Sequence, residues 1–101
     1  MKNRLASYLP KLRDCRVAVV GDLMLDTYIW GRATRLCPEA PVPVVRAESD
    51  TTAPGGAANV VRNLVSLGAH AHAFGLVGDD SAGHELLAAL DETLAAMPRE
   101  R

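Results

Sequence analysis

Apolar and polar positions along the chain follow three rhythms, and each predicts an element. Near the start, Leu5, Tyr8, Leu9 and Leu12 recur at helical spacing, which predicts a helix over Asn3–Leu12 with Asn3 as its cap. Pro10 lies inside that run and argues for an early end. Val17-Ala18-Val19-Val20 is a continuous apolar run closed by Gly21, the pattern of a strand buried on both faces in a parallel sheet covered by helices. Tyr28, Ile29 and Trp30 predict a strand ending at Gly31. Arg32–Pro43 reads as irregular because Pro38, Pro41 and Pro43 keep it out of a sheet centre. Val42, Val44 and Val45 predict a second strand, paired with the Tyr28–Trp30 one, and Glu48–Thr52 a polar connection.

Beyond Asn59, Val60, Val61, Leu64 and Leu67 fall on one helical face, and Gly68 stands where a C′ glycine stops a helix. The segment Ala69–Val77 alternates weakly and predicts a strand. Gly78-Asp79-Asp80-Ser81 has turn and cap chemistry, and Ser81–Met97 predicts a helix with Leu86, Leu87, Leu90 and Leu94 as its stripe. Pro98–Arg101 is a polar end expected to fray. The order is helix, strand, two-strand excursion, helix, strand, helix. Strands alternating with helices predict an α/β fold with a parallel sheet and right-handed crossovers. Two strands make an incomplete main sheet, so the sequence reads as stopping early. The excursion is too small to stand alone in water and needs the α/β body or a second subunit to lie on.

Composition narrows the function classes. The 101 residues fit one small domain, and 49% hydrophobic with 23% charged residues is ordinary soluble composition. A net charge of −1 argues against a nucleic-acid or membrane-surface partner. No apolar run approaches the ~20 residues of a membrane span. Lys2, Arg4, Lys11, Arg13 and Asp14 interrupt anything resembling a secretory signal, so the cytoplasm is expected. Cys15 and Cys37 are too few and too far apart for a disulfide framework or a metal site. His70 and His72 share a strand face but have no third ligand nearby, so no metal is expected.

The candidate chemistry centres on Pro54-Gly55-Gly56-Ala57-Ala58-Asn59. Glycines at a helix start let a ligand approach the backbone, and the first helical amides lack intrahelical partners. Asn59, one turn in, both donates and accepts, which suits a polyhydroxylated ligand such as a sugar. The competing reading makes the glycine pair a plain turn and Asn59 a solvated helix residue. Gly21-Asp22 marks the carboxyl end of the first strand, where open α/β sheets bind ligands. Asp26 is the one charge between Leu23 and Trp30; it either accepts ligand hydroxyls or caps a turn. Arg32 and Arg35 are either phosphate contacts or solvated surface arginines.

These residues carry a family likeness. Gly55-Gly56, Asn59, Gly68 and Gly78 occur at the spacing of the first signature of the ribokinase-like PfkB carbohydrate kinases. Gly21-Asp22-Leu23-Met24-Leu25-Asp26 resembles that family's first strand and substrate aspartate. The segment from Thr34 to Val45, Thr-Arg-Leu-Cys-Pro-Glu-Ala-Pro-Val-Pro-Val-Val, resembles the lid of the kinase half of bifunctional heptose-7-phosphate kinase/heptose-1-phosphate adenylyltransferases. The likeness covers Val17 to about Leu90. It departs at Val61, where the family has a small residue.

The resemblance implies the N-terminal portion of a ribokinase-like three-layer fold, with a small two-strand lid over about residues 27–53. It implies ATP and Mg2+ for the complete enzyme, none for this chain alone, and transfer of phosphate to D-glycero-D-manno-heptose 7-phosphate in lipopolysaccharide-core synthesis. Asp26, Gly55, Gly56 and Asn59 would hold sugar hydroxyls, and the glycine pair would be the lid hinge. The lid would close over substrate and pair with a second subunit as a homodimer. The ATP site and catalytic base belong to a carboxyl-terminal half expected to be absent, so no catalytic residue is expected here and the chain alone is expected to be inactive. No G-x-x-x-x-G-K-[ST] loop replaces them. The alternative is a non-catalytic sugar-binding or lid-mediated dimerisation module.

Overall fold

The computed structural model describes residues 2–97, and the side chains from residue 4 onward. The chain begins with a short helix α1 (Lys2–Ala6), then a 3-10 helix (Leu9–Asp14), and not the single helix expected over Asn3–Leu12. Pro10 falls in the first turn of the 3-10 segment, where its missing N–H costs nothing, and the continuous helix is broken just before it, at Ser7 and Tyr8. Leu5, Tyr8 and Leu9 are at least half exposed, so their spacing does not mark a buried face. The expected Asn3 cap and the end at Pro98–Arg101 lie outside the described residues.

Strand β1 (Arg16–Val20) pairs in parallel with β4 (His70–Phe74), in a register running from Arg16 opposite His70 to Val20 opposite Phe74. Between them in sequence lies helix α2 (Ala57–Ser66), and after β4 comes helix α3 (Ser81–Ala95), two residues shorter than Ser81–Met97. Val19, Ala58, Val61, Ala71, Leu86 and Leu90 form the buried core; Val17, Leu64, Val65 and Leu94 pack around it. The expected burial of β1 on both faces is not met. Val17 and Val19 face the helices, whereas Ala18 and Val20, with His72 and Phe74 beside them, remain exposed.

Helix α2 stops as its sequence predicts. Gly68 takes φ 90°, its N–H donates to the Val65 carbonyl at 3.0 Å, and the Ala69 N–H donates to Leu64 at 3.0 Å. That pair of bonds is a Schellman motif. The buried face of α2, however, is Ala58 and Val61 with Leu64 and Val65; Val60 and Leu67 are nearly half exposed. In α3, Asp80 is the cap and its side chain accepts from the Gly83 N–H at 2.8 Å. Leu87 lies off the buried stripe of Leu86 and Leu90.

The largest departure is the excursion. It is a ribbon of two antiparallel strands of 14 residues each, β2 (Leu23–Leu36) and β3 (Pro43–Gly56). Strand β2 runs through Gly31 to Leu36, and the irregular stretch shrinks to residues 37–42. Glu48–Thr52 is strand, not connection, and it is Ser49, Asp50 and Thr51 that pair with Trp30, Ile29 and Tyr28. Val44 and Val45 pair further out, with Arg35 and Ala33. The ribbon makes the molecule long: its largest extent is 60 Å and its radius of gyration 18.5 Å, against about 13 Å for a compact 100-residue domain. Among the described residues no helix is long and apolar enough to cross a membrane.

Candidate functional site

The site forms where the ribbon meets the α/β body. After β1, the Gly21 N–H donates to the Phe74 carbonyl at 3.2 Å, and the chain turns into β2. The Asp22 carbonyl then accepts the Ala57 N–H, the first of α2, at 2.8 Å. One bond thus joins the start of β2 to the start of α2. Between them Gly56 is the helix N-cap at φ 56°, ψ −133°, with no capping side chain. A Cβ at Gly56 would meet the Asp22 carbonyl oxygen at 2.5 Å, so two backbones meet here where only glycine fits.

Strand alternation places Asp26. Leu23 and Leu25 face the core. Met24, Asp26, Tyr28 and Trp30 therefore share the other face, opposite Gly55, Ala53, Thr51 and Ser49 of β3. The Asp26 carboxylate lies against Gly55: a Cβ there would come within 2.5 Å of Asp26 Cγ and 2.6 Å of Oδ1. Asp26 is mid-strand, which rules out the turn-cap reading, and it has no ion pair among the described residues. Further along this face Trp30 Nε1 donates to Thr51 Oγ1 at 3.0 Å. On the opposite face Thr52 Oγ1 donates to Glu85 Oε1 of α3 at 2.6 Å, fixing the ribbon base to the body.

The structure brings Asp26 and Gly55 into contact, seats Gly56 at the helix start and leaves Asn59 exposed one turn into α2. The glycine pair is a strand end and a helix cap, not a free turn. Arg32 and Arg35 are not brought to this group. They lie six and nine residues beyond Asp26 on β2, about 20 and 30 Å along an extended strand. Arg32 Nε instead pairs with Glu48 Oε1 at 3.7 Å, with both side chains well exposed. The Asp22 carbonyl, Thr51 and the Thr52–Glu85 bond were not visible in the sequence, because each depends on a register that polar residues 48–52 do not announce. Among the described residues no three His, Cys, Asp or Glu side chains converge in a group that could hold a metal ion. His84 Nε2 lies 2.9 Å from Asp79 Oδ1, both exposed.

Comparison with known proteins settles the family. The profile of the pfkB family carbohydrate kinases matches residues 15–93, from the start of β1 nearly to the end of α3. The chain belongs to the pfkB family. Its mixed α/β architecture, a parallel strand pair with an antiparallel ribbon, is part of the ribokinase-like fold of that family. Among its relatives is the bifunctional protein HldE of Hyphomonas neptunium, 48% identical over 99 residues, which cover 98% of this chain and 20% of that protein. HldE of Magnetococcus marinus is 56% identical over 77 residues, 76% of this chain and 16% of the relative. HldE of Edwardsiella ictaluri is 54% identical over 84 residues, 83% and 18% respectively. The chain thus spans about a fifth of the length of the curated relatives it matches.

Proposed function

We propose that this chain is the sugar-holding part of a kinase that transfers phosphate from ATP to the anomeric hydroxyl of D-glycero-D-manno-heptose 7-phosphate, acting in the cytoplasm. Membership of the pfkB family supports a carbohydrate kinase, and the HldE relatives support a heptose substrate. One observation carries the reading: the Asp26 carboxylate lies against a glycine backbone, beside a helix start that only glycine can form. A carboxylate with no cationic partner among the described residues accepts two sugar hydroxyls in charge-assisted bonds. The bare backbone of Gly55 and Gly56 lets the sugar approach α2, and Asn59 donates and accepts beside it.

These residues bind and orient; they do not transfer. Phosphoryl transfer rests on positioning and on charge stabilisation around the transferring group. Such a step needs a base on the attacking hydroxyl and cations or amides at the nucleotide, and nothing in the described cluster is placed for either role. The 101 residues therefore bind heptose 7-phosphate without turning it over. Titration calorimetry with heptose 7-phosphate tests the reading. Saturable binding that Asp26→Ala weakens 10- to 150-fold is expected from a charged hydrogen bond worth about 1.5–3 kcal/mol. Equal binding by wild type and Asp26→Ala refutes it.

A further inference from the structure

The two strands of the ribbon leave the body differently. On β2, Leu23 and Leu25 pack on the core, and the Asp22 carbonyl takes the first amide of α2. On β3 the positions opposite Met24 and Leu23 are Gly55 and Gly56, which have no side chains to pack. Further along β3, Thr52 lies opposite Thr27, on the same face as Leu23 and Leu25. That face is turned to the body. There Thr52 Oγ1 donates to Glu85 Oε1 of α3 at 2.6 Å, across 33 positions of sequence. The length lies within the range of about 2.5–2.7 Å for a hydroxyl donating to a carboxylate. Among the described residues no other side-chain hydrogen bond or ion pair joins ribbon to body; the Trp30–Thr51 and Arg32–Glu48 contacts lie within the ribbon.

We propose that Glu85 is a positioning residue: through Thr52 it fixes the direction of the ribbon base, and so the place of Asp26 relative to the start of α2. That Asp26 has a sugar to hold rests on the reading above; the hold itself does not. Thr27 directly follows Asp26 in sequence, so the bond acts one residue from the carboxylate and from the opposite face of the strand pair. Asp26 stands four residues beyond Asp22, about 13 Å along the strand. A swing of about 10° at the glycine root would carry it about 2 Å, and about 1 Å already matters to a group that aligns a ligand. Glu85 touches no ligand. It removes a freedom that a bound sugar would otherwise have to remove.

The chain supplies its own labelling positions. Cys15, in the body, and Cys37, just beyond the end of β2, are its two cysteines. Nitroxide labels on both, in whole chain diluted with unlabelled chain, give the distribution of body-to-ribbon distances by pulsed electron resonance. Glu85→Ala and Thr52→Val broaden that distribution. Each also weakens heptose 7-phosphate binding about three- to tenfold by calorimetry, the worth of one surface hydrogen bond. The double variant Thr52→Val/Glu85→Ala binds no more weakly than either single variant. Glu85→Gln restores both readouts, since its amide oxygen still accepts the hydroxyl. Glu92→Ala, two turns further along α3, changes neither. A general loss of stability would show neither the rescue by glutamine nor the match between the two partners. An unchanged distance distribution in Glu85→Ala overturns the proposal. So does a broadened one with unchanged affinity where Asp26→Ala weakens binding, or a Glu85→Gln chain as loose as Glu85→Ala. If the Glu85→Ala ribbon loosens and Asp26→Ala leaves affinity unchanged, the hold stands and it is the sugar reading that fails.

Discussion

Replacing Gly55 by alanine separates a binding role from a folding role at one position. The added Cβ would lie 2.5 Å from Asp26 Cγ and 2.6 Å from Oδ1, far inside van der Waals contact. The obstacle is the end of an exposed side chain, not backbone, so Asp26 can swing aside. An off-rotamer carboxylate costs about 0.5–1.5 kcal/mol. Alanine in a strand recovers about 0.5–1 kcal/mol over glycine through lower backbone entropy. The two nearly offset. At about 4–8 °C per kcal/mol for a domain of this size, Tm moves by only a few degrees. Binding has no such offset, because the displaced carboxylate loses its charged hydrogen bond, about 1.5–3 kcal/mol, or 10- to 150-fold in affinity. Calorimetric titration with heptose 7-phosphate, alongside a thermal melt, reads both. The double variant Gly55→Ala/Asp26→Ala closes the argument. If the alanine acts only through Asp26, the double variant binds no more weakly than Asp26→Ala alone. A Gly55→Ala chain that binds like wild type would refute the reasoning, whereas additive losses would show that the bare backbone of Gly55 contributes apart from Asp26.

Gly56→Ala should behave in the opposite way: at φ 56° and against the Asp22 carbonyl it loses at least about 1–3 kcal/mol of stability, seen as a depressed melting curve with or without ligand. Val61→Ala removes two buried carbons at about 0.8 kcal/mol each and leaves a cavity, so denaturant unfolding should show a loss of about 2–3 kcal/mol; a value near zero would mean that α2 is not seated on the core. Asp80→Ala deletes the cap bond to Gly83 and should cost about 1 kcal/mol in the same assay. Ile29, Leu36, Val42 and Val45 are all more than half exposed on the ribbon, so sedimentation at micromolar concentration should show a second copy covering them; a clean monomer would contradict this.

Much of the body was legible because its signals are local. The Val17–Val20 run, the glycine stop at Gly68 and the Asp80 cap each follow from a few adjacent residues, and each stands where the pattern puts it. The ribbon was legible only in part. Three prolines made Arg32–Pro43 look irregular, yet β2 runs to Leu36 and β3 starts at Pro43, the first position of a strand, where proline is tolerated. Polar Glu48–Thr52 looked like a connection because a two-stranded ribbon needs no apolar alternation where neither face is buried. Val60 and Leu67 show the matching error on α2: helical spacing admits two overlapping faces, and Ala58 decides for the one through Val61 and Val65. The contact between Asp26 and Gly55 spans 29 positions in sequence and exists only through the strand register, so spacing alone could not announce it.

The two ends of the ribbon are held differently. Its base is held on three sides. The Asp22 carbonyl takes the first amide of α2, Thr52 is bonded to Glu85 of α3, and Leu23 and Leu25 pack on the core. Asp26 and Gly55 lie within that held segment, so the group proposed to hold sugar hydroxyls is tied to the body, as the proposed alignment of a sugar requires. Beyond Trp30 that hold is gone. The chain passes two register shifts, and every residue of β2 from Gly31 to Leu36 is exposed. Bulges concentrate bending and twist where they occur, so the outer ribbon takes its direction from residues 30–35 and 44–49 and not from the packing that holds the base.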